Sequence, residues 1–325
     1  MTTRRSFITL VGGAAAWPLG TAASQSMPVV GILASRAASD DPQLLTAFRR
    51  GLREAGYVDG HNVTIEYGFA ENQYDRLPAL AADLVRRQVS LIVANGPAAQ
   101  AAKAATATIP IVFTAGFDPV AIGLVASLNR PGGNITGVTI LDVELGPKRL
   151  QLLHELAPMA SIIAVLVNPT DPLRAEAISK AVQTAAGSLG LQSHVLKASS
   201  EGDFDTVFAS VRQLRIDGLV IGGDPFFNSR GEQLGKLAAQ HGVPTIFQFS
   251  EFTTGGGLAS YGANLVDSYH QVGVYAGRIL KGEKPADLPI AQATKFDLII
   301  NLKTAKALGL TVPPKLLFTA DEVIE

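Results

Sequence analysis

Short apolar runs along the chain alternate with longer segments in which apolar residues recur every three or four positions. Residues 28–34 and 89–94 are examples of the runs, and residues 43–55 are an example of the segments, with Leu44 and Phe48 on one helical face. The runs predict buried strands and the segments predict amphipathic helices. This alternation over nearly the whole chain predicts an α/β fold in which right-handed crossovers join parallel strands.

Residues 130–138 (RPGGNITGV) differ from the pattern on either side. Pro131 ends a helix that the apolar spacing predicts over residues 120–128, and the two glycines after it permit backbone angles that other residues resist. We interpret the stretch as the point where the chain leaves one lobe for a second, with Gly137 at the hinge. Taken alone, the motif is equally compatible with a Gly-rich turn inside one large sheet.

Two segments of the first half recur in the second half. Residues 90–97 (SLIVANGP) align with residues 218–225 (GLVIGGDP), and residues 109–113 (IPIVF) align with residues 243–247 (VPTIF). Each half therefore contains a strand, a turn ending in Pro, a helix, and a second strand after an X-Pro pair. Two matches in the same order and at nearly the same offset favour a duplicated lobe over chance similarity between strands.

The repeat predicts two doubly wound parallel-sheet lobes joined by a multi-strand hinge. We expect residues 1–25 to be an export signal, residues 27–140 plus about 263–285 to form the N-terminal lobe, and residues 141–262 plus about 286–325 to form the C-terminal lobe. Crossing strands have no unique sequence mark, so the lobe assignment of residues 286–325 stays open.

The N-terminus has the pattern of an export signal. Residues 3–8 (TRRSFI) contain a twin-arginine motif, a short apolar run follows, and small residues precede a predicted cleavage site near Ala23 to Gln25. The apolar run is too short to span a bilayer, and no other run approaches about 18 apolar residues. We therefore expect a soluble mature protein; the alternative is a short N-terminal helix that stays attached.

Composition limits the chemistry that the chain can support. The formal net charge is −1 with no long basic run, which argues against nucleic acid as a partner. The absence of Cys excludes disulfides and thiolate metal sites, and the five His include no i, i+4 pair, so we expect no metal site and no cofactor. The sequence contains no P-loop, G-x-S-x-G, G-x-G-x-x-G or H-E-x-x-H motif, and this favours a binding protein over an enzyme.

Candidate binding residues follow the predicted strands. Ligands of open parallel sheets bind beyond the carboxyl ends of the strands, where helix N-termini present free N–H groups. Two lobes facing each other would bring both sets of strand ends to one cleft. The candidates are Ser35, Arg36, Asn95, Gly96, Phe117 and Asp118 from the first half, and Asn168, Asp224, Phe226, Gln248 and Tyr261 from the second.

Each candidate also has a purely structural interpretation. The amides around Asn95 and Gly96 could hold a carboxylate or could only cap a helix. Asp224 could accept hydrogen bonds from a ligand ammonium or could only stabilise its own turn. Phe117, Phe226 and Tyr261 could enclose a flat ligand or pack in the core, while Asp118 could simply cap a helix.

In several places the chain resembles the substrate-binding proteins of ABC importers, which have the type I periplasmic-binding-protein fold. The matching sequence segments are Asp118-Pro119 and four longer ones, which are residues 48–57 (FRRGLREAGY), 131–138 (PGGNITGV), 256–262 (GGLASYG) and 301–310 (NLKTAKALGL). The chain is most similar to the group that includes the tryptophan- and tyrosine-type binding proteins. The motifs are specific for the family in combination but poorly specific for the ligand.

The resemblance implies a monomeric two-lobed receptor that closes on a small molecule and delivers it to a permease in the inner membrane. Carried over to this sequence, the family's binding loops contain nearly all the candidates named above, although Asn95-Gly96-Pro97 departs from the Gly or Thr/Ser that we expect before this Pro. The missing lipoprotein Cys implies a chain free in the periplasm. We expect an amino acid, aromatic or otherwise, or a related carboxylate as ligand; the alternatives are a ligand-sensing subunit of a membrane signalling protein and, less favoured, an exported enzyme.

Overall fold

The computed structural model describes residues 27–37, 42–140 and 142–325, so the predicted export signal over residues 1–25 lies outside the described residues. Two sheets, each flanked by helices, organise the chain. The first sheet has the strand order β11-β5-β4-β3-β1-β2. Its strands are β1 (Val29–Ala34), β2 (Thr64–Phe69), β3 (Leu91–Asn95), β4 (Ile111–Ala115), β5 (Ile135–Thr139) and β11 (Ala291–Gln292).

The second sheet has the order β13-β12-β10-β9-β8-β6-β7. Its strands are β6 (Ile162–Val167), β7 (Gln192–Lys197), β8 (Gly218–Ile221), β9 (Thr245–Phe247), β10 (Ala259–Ala263), β12 (Phe296–Asn301) and β13 (Glu322–Ile324). Strand β12 runs antiparallel to β10, and the other pairs in both sheets are parallel. The predicted fold class, with two parallel-sheet lobes, is confirmed.

Helices cover both faces of each sheet. The first lobe contains α1 (Pro42–Glu54), α2 (Leu77–Arg86), α3 (Pro97–Ala105), α10 (Leu265–Leu280) and 3₁₀ turns at Tyr74–Arg76 and Pro285–Asp287. The second lobe contains α4 (Asp142–Leu156), α5 (Pro172–Ser188), α6 (Phe204–Gln213), α7 (Pro225–Asn228), α8 (Gly231–Gln240), α9 (Ser250–Thr254), α11 (Leu302–Ala307), α12 (Pro314–Thr319) and a 3₁₀ turn at Glu201–Asp203. None of the helices in the described ranges is both long and apolar enough to cross a membrane.

The internal repeat appears directly in the sheet topology. The order β5-β4-β3-β1-β2 of the first sheet matches the order β10-β9-β8-β6-β7 of the second, strand for strand. Strands β3 and β8 are the aligned pair from the sequence, as are β4 and β9. The two lobes are therefore copies of one arrangement, as the repeat predicts, and the carboxyl ends of their corresponding strands can meet at one cleft.

In the part of the chain that the structure describes, the chain passes between the lobes at three places, after β5, after β10 and after β11. Gly137 is paired with Phe113 in the middle of β5, where an added Cβ would clash with the Phe113 carbonyl oxygen, so the first passage follows β5 and does not include Gly137. The second passage joins β10 to α10 at Asn264, close to the expected residue 263. The third follows β11, which pairs with β5 and keeps the chain on the first sheet through Gln292, beyond the expected boundary near residue 286.

The helix predicted over residues 120–128 does not form, and irregular turns take its place. Gly123 lies in the left-handed region with φ of 67°, which ends any helical run after one turn. Leu124 and Val125 both turn into the core of the first lobe, and their N–H groups donate to the Pro119 carbonyl. The apolar spacing of this segment therefore comes from burial of consecutive residues and not from an amphipathic helix.

Candidate functional site

The two lobes touch each other across the cleft at several points. The Tyr74 hydroxyl of the first lobe donates to Asp224 Oδ1 of the second at 3.0 Å, and Gln43 Nε2 donates to Glu251 Oε1 at 2.8 Å. The repeated turns also meet, because a Cβ placed on Gly96 would lie 3.3 Å from Pro225 Cγ. These contacts define a closed arrangement of the lobes.

A small cavity of about 40 Å³ lies between the repeated turns. The first lobe contributes Arg36, Asn95, Gly96, Thr114 and Tyr269 to its wall, and the second contributes Arg174, Asn228 and Gln248. Among the described residues, two arginines and no carboxylate line this central cavity. Both arginines can donate hydrogen bonds to an anion in this cavity.

Two further cavities adjoin the central cavity at Arg36. One, of about 470 Å³, runs along the crossing segments and shares Asn228, Gln248 and Leu265 with the central cavity. The other is an apolar recess in the first lobe, which shares Asn95, Thr114 and Tyr269 with the central cavity. The apolar part of its wall comprises Ile32, Leu33, Ala34, Ala37, Leu44, Leu45, Phe69, Val93 and Ala94. Arg36 therefore lines all three cavities, of which the central one is charged, the largest of the three is polar and the recess is apolar.

A hydrogen-bond network within the first lobe supports its part of the cavity wall. Asn95 Oδ1 accepts from the Ser35 N–H at 2.9 Å and from the Ser35 hydroxyl at 3.1 Å, while Asn95 Nδ2 donates to the Tyr269 hydroxyl at 3.3 Å. Arg36 Nη2 donates to the same hydroxyl at 3.3 Å. We call these four residues the Asn95 network. All four are buried and all belong to the first lobe, so the network does not depend on lobe closure.

Arg174 lies in the first turn of α5 and reaches the first lobe. Its Nη1 donates to the Gly223 carbonyl at 2.9 Å, and its guanidinium lies 5.1 Å from the centroid of the Phe117 ring across the cleft. Asp171, the N-cap of α5, holds the base of the side chain through a contact of 3.4 Å to Arg174 Nε. Arg174 therefore presents a fixed cation to the central cavity from the second lobe.

Asp224 is the N-cap of α7 and lies one layer behind the cavity wall. Its Oδ1 accepts from the Phe226 N–H and Asn168 Nδ2, both at 2.9 Å, as well as from Tyr74. Burial raises the pKa of Asp224 above its ordinary value of 3.8, and Arg174 opposes this rise. Burial and the neighbouring Asp224 raise the pKa of Tyr74 well above 10.0, so its hydroxyl keeps its proton and acts as the donor.

A buried ion pair marks the first passage between the lobes. Asp142, at the start of α4, pairs with Arg149, and Arg149 Nε donates to the Tyr261 carbonyl at 2.7 Å. The Gln248 amide is best oriented with its NH₂ group toward Asp142 and its oxygen toward Asn228 Nδ2. The pair therefore links the segment after β5 to β10 and to the cavity wall.

The structure divides the predicted site residues into three groups. Arg36, Asn95, Gly96 and Gln248 line the central cavity. Ser35, Asn168 and Asp224 lie behind its wall and hold other residues in place. The remaining four, which are placed away from the cavities, are Phe117, Asp118, Phe226 and Tyr261.

Local packing explains these four differences. Tyr261 stacks on Phe296 at 6.2 Å, because strand alternation puts its neighbours Ser260 and Gly262 on the cavity side of β10. Phe226 packs in the core with Phe204 at 5.7 Å. The remaining two are Phe117, which is buried in the first-lobe core beneath Arg174, and Asp118, which accepts from the Val120 N–H at 2.8 Å within its own turn.

Sequence reasoning missed four polar side chains of the wall, namely Thr114, Arg174, Asn228 and Tyr269. Thr114 and Arg174 had a usable signal, because one ends a predicted strand and the other opens the helix after a strand end. Asn228 closes the short helix α7, which is too brief to show periodicity. Tyr269 comes from α10, which returns to the first lobe late in the chain and packs against α1 and β3.

The chain belongs to the ABC transporter substrate binding protein family, whose model matches residues 40–324. The predicted family is thereby confirmed, and the fold is that of the type I periplasmic binding proteins. A tyrosine-binding protein of Clostridioides difficile (strain R20291) is 30% identical over 275 residues, which cover 81% of this chain and 75% of that protein.

Two solved structures superpose on the whole arrangement. The ABC domain in complex with L-Trp from Streptococcus pneumonia is 25% identical with a TM-score of 0.83, covering 92% of this chain and 100% of that one. A conserved domain protein from Vibrio cholerae is 26% identical with a TM-score of 0.84, covering 91% and 99%. A ligand-free, open substrate binding protein from Clostridium difficile is 29% identical, yet its TM-score is only 0.65 over 92% and 99% of the chains. Together with the contacts across the cleft, this difference agrees with closed lobes.

Proposed function

We propose that this chain is a periplasmic receptor that binds an amino acid, with aromatic ones favoured, and delivers it to an ABC importer. The observation that carries the proposal is the pair Arg36 and Arg174, which bring guanidinium groups from opposite lobes to one cavity. In our proposal the ligand carboxylate lies between them.

A carboxylate in this position would couple binding to closure. Two cations that approach in a poorly solvated cleft repel each other, and an anion between them replaces repulsion by charge-assisted hydrogen bonds. Both arginines reach one carboxylate only when the lobes are closed. The ligand would therefore bind the closed state more tightly than the open state, which is the requirement for ligand-driven closure.

The apolar recess beside Arg36 supports an amphipathic ligand. Its wall of aliphatic residues and Phe69 begins next to the guanidinium, so a ligand with a carboxylate and an apolar side chain satisfies both surfaces. The relative named as a tyrosine-binding protein and the structure solved with L-Trp support an aromatic side chain. The site residues that we propose are Arg36, Asn95, Gly96, Thr114, Arg174, Asn228, Gln248 and Tyr269.

A thermal-denaturation screen of the chain from about residue 25 tests the ligand class. The panel contains the standard amino acids, aromatic acids, sugars and purines. A ligand at about 100 times its dissociation constant adds about 2.7 kcal/mol to the free energy of unfolding. We expect the largest shifts with tryptophan, tyrosine and phenylalanine; shifts with sugars or purines alone would contradict the ligand class.

Uptake measurements test delivery to an importer. We expect deletion of the gene in the source bacterium to abolish high-affinity uptake of the labelled ligand found in the screen, and a plasmid copy to restore it. The export signal pattern and the family support a periplasmic location, which cell fractionation would test. Binding with unchanged uptake would contradict transport and point to a sensing role.

A further inference from the structure

We propose that Tyr74 and Asp224 form a latch that stabilises the closed lobes without touching the ligand. The inference rests on the proposed function in that a receptor must close around what it binds. Tyr74 follows β2 in the first lobe, and Asp224 follows β8 in the second. Neither residue lines the cavities that the described residues form at the cleft. Both are therefore positioning residues.

The acceptor half of the latch is built within one lobe. Asn168 Nδ2 and the Phe226 N–H fix the Asp224 carboxylate from inside the second lobe, and these bonds persist whatever the position of the first lobe. Of the three donors to Oδ1 among the described residues, Tyr74 is the one that comes from the first lobe. Opening the cleft thus breaks one defined hydrogen bond and leaves its acceptor in place.

Burial increases the contribution of this hydrogen bond to the stability of the closed state. Asp224 is 2% exposed in the closed arrangement, and no hydrogen bond reaches its Oδ2 from the described residues. A buried carboxylate that loses one of its few donors has no water to replace it, so removal of the Tyr74 hydroxyl disfavours the closed state specifically. In the open state the same carboxylate can regain water.

The contact between Gln43 and Glu251 also crosses the cleft but lies in an exposed position. Water competes for both of its partners, and exposed polar contacts contribute little to stability. Because the contact between Tyr74 and Asp224 is buried, we assign the latch to this contact and not to the exposed one. This assignment yields a test that requires no ligand.

The chain has no Cys, so an introduced pair can be spin-labelled selectively. Suitable sites are Ala82 on α2 and Ala209 on α6, which are exposed and lie on equivalent helices of the two lobes. Distance distributions from pulsed electron paramagnetic resonance then give the closed-to-open ratio without ligand. We expect Tyr74→Phe to lower this ratio about tenfold, the effect of one hydrogen bond to a charged group.

Tyr275→Phe is the matched control, because the Tyr275 hydroxyl donates to the Pro289 carbonyl at 2.9 Å within the first lobe. We expect it to leave the distance distribution unchanged. Identical distributions for the wild-type chain and Tyr74→Phe would overturn the latch. In the Asp224→Asn background we expect Tyr74→Phe still to change the distance distribution, but by less, because a neutral acceptor only reduces the effect of the hydroxyl.

Titrations with L-tryptophan and L-tyrosine separate a latch from a ligand contact. We expect Tyr74→Phe to raise both dissociation constants by the same factor, because it changes only the closed-to-open ratio. Unequal factors would show that Tyr74 recognises the ligand and would overturn the proposal. A wrong ligand class would appear differently, as a failure of both amino acids to close any variant, and would leave the ligand-free measurement valid.

Discussion

The two walls of the cleft come from the same turn of a duplicated lobe but are held in different ways. In the first lobe, Asn95 precedes the glycine N-cap of α3 and bonds to Ser35, at the end of β1. In the second lobe, Asp224 is itself the N-cap of α7 and bonds to Asn168, at the end of β6. Both turns are thus tied to the corresponding strand end, and the second also bonds to the opposite lobe through Tyr74.

This difference separates what the duplication of the lobe determines from what the individual side chains determine. Duplication places two helix N-termini opposite each other, and this follows from the matched strand orders alone. Side chains then tie the first wall to its own lobe through the Asn95 network, whereas the second wall also bonds to the opposite lobe through Asp224. We therefore expect loss of the Asn95 side chain to lower the stability of the first lobe, and changes in the second wall to alter ligand binding and closure.

The largest effect is expected from Arg174→Ala in the second wall. The change removes a cation from the cavity and the stack on Phe117 across the cleft. We expect the dissociation constant for L-tryptophan to rise about 100-fold, because a charge-assisted hydrogen bond contributes about 1.5–3 kcal/mol. Isothermal titration calorimetry measures the change.

Arg278→Ala is a matched control for Arg174→Ala. Arg278 also stacks on an aromatic ring, Tyr275 at 5.6 Å, and pairs with Glu283 at 2.7 Å, but it lies on the far side of the first lobe from the second. We expect the Arg278→Ala variant to bind L-tryptophan with the same affinity as the wild-type chain. Equal affinities for all three proteins would remove Arg174 from the site.

A smaller effect, of about 2 kcal/mol in the free energy of unfolding, is expected from Asn95→Ala in the first wall. The substitution leaves the buried Ser35 N–H and hydroxyl without their acceptor, and an unsatisfied buried donor costs about 1–3 kcal/mol. Urea denaturation measures the loss. Asn62→Ala, which removes an exposed amide that bonds within a turn, should cost less; an equal cost would contradict the preformed network.

The smallest effect concerns pH. Because burial raises the folded-state pKa of Asp224 above 3.8, the folded state binds more protons than the unfolded state in the pH window above that value. The free energy of unfolding of the wild-type chain, relative to Asp224→Asn, should therefore fall as the pH rises through this window. Denaturation of both proteins between about pH 4 and pH 7 tests the sign, and a relative stability that rises with pH would contradict it.

The sequence predicts the fold well because its signals are local and repeated. Alternating apolar runs and helical spacing specify the parallel strands, and the rule that ligands bind at strand ends leads to Arg36, Asn95, Gly96 and Gln248, which line the central cavity. The rule places backbone and not side chains, however. Tyr261 faces away from the cleft because of strand alternation in β10 and its packing on Phe296, and Phe226 of α7 faces the core because it packs on Phe204.

The chain returns to the first lobe late in the sequence, and this return also limits how well the site can be predicted. Tyr269 joins Asn95 across 174 residues, through a helix whose lobe is decided by packing against α1. That packing depends on glycines such as Gly51 and Gly273, where an added Cβ would clash with the backbone of the facing helix. A single sequence shows an amphipathic helix there, but not which sheet it covers.

The central claim is that a ligand carboxylate lies between arginines from opposite lobes. Calorimetric titration of the wild-type chain with L-tryptophan and with tryptamine, which has the same ring and ammonium group but no carboxylate, tests it most directly. We expect L-tryptophan to bind and tryptamine to bind at least about 100-fold more weakly, because tryptamine has no carboxylate to accept charge-assisted hydrogen bonds from the two guanidinium groups. Equal affinity for the two compounds would contradict the account.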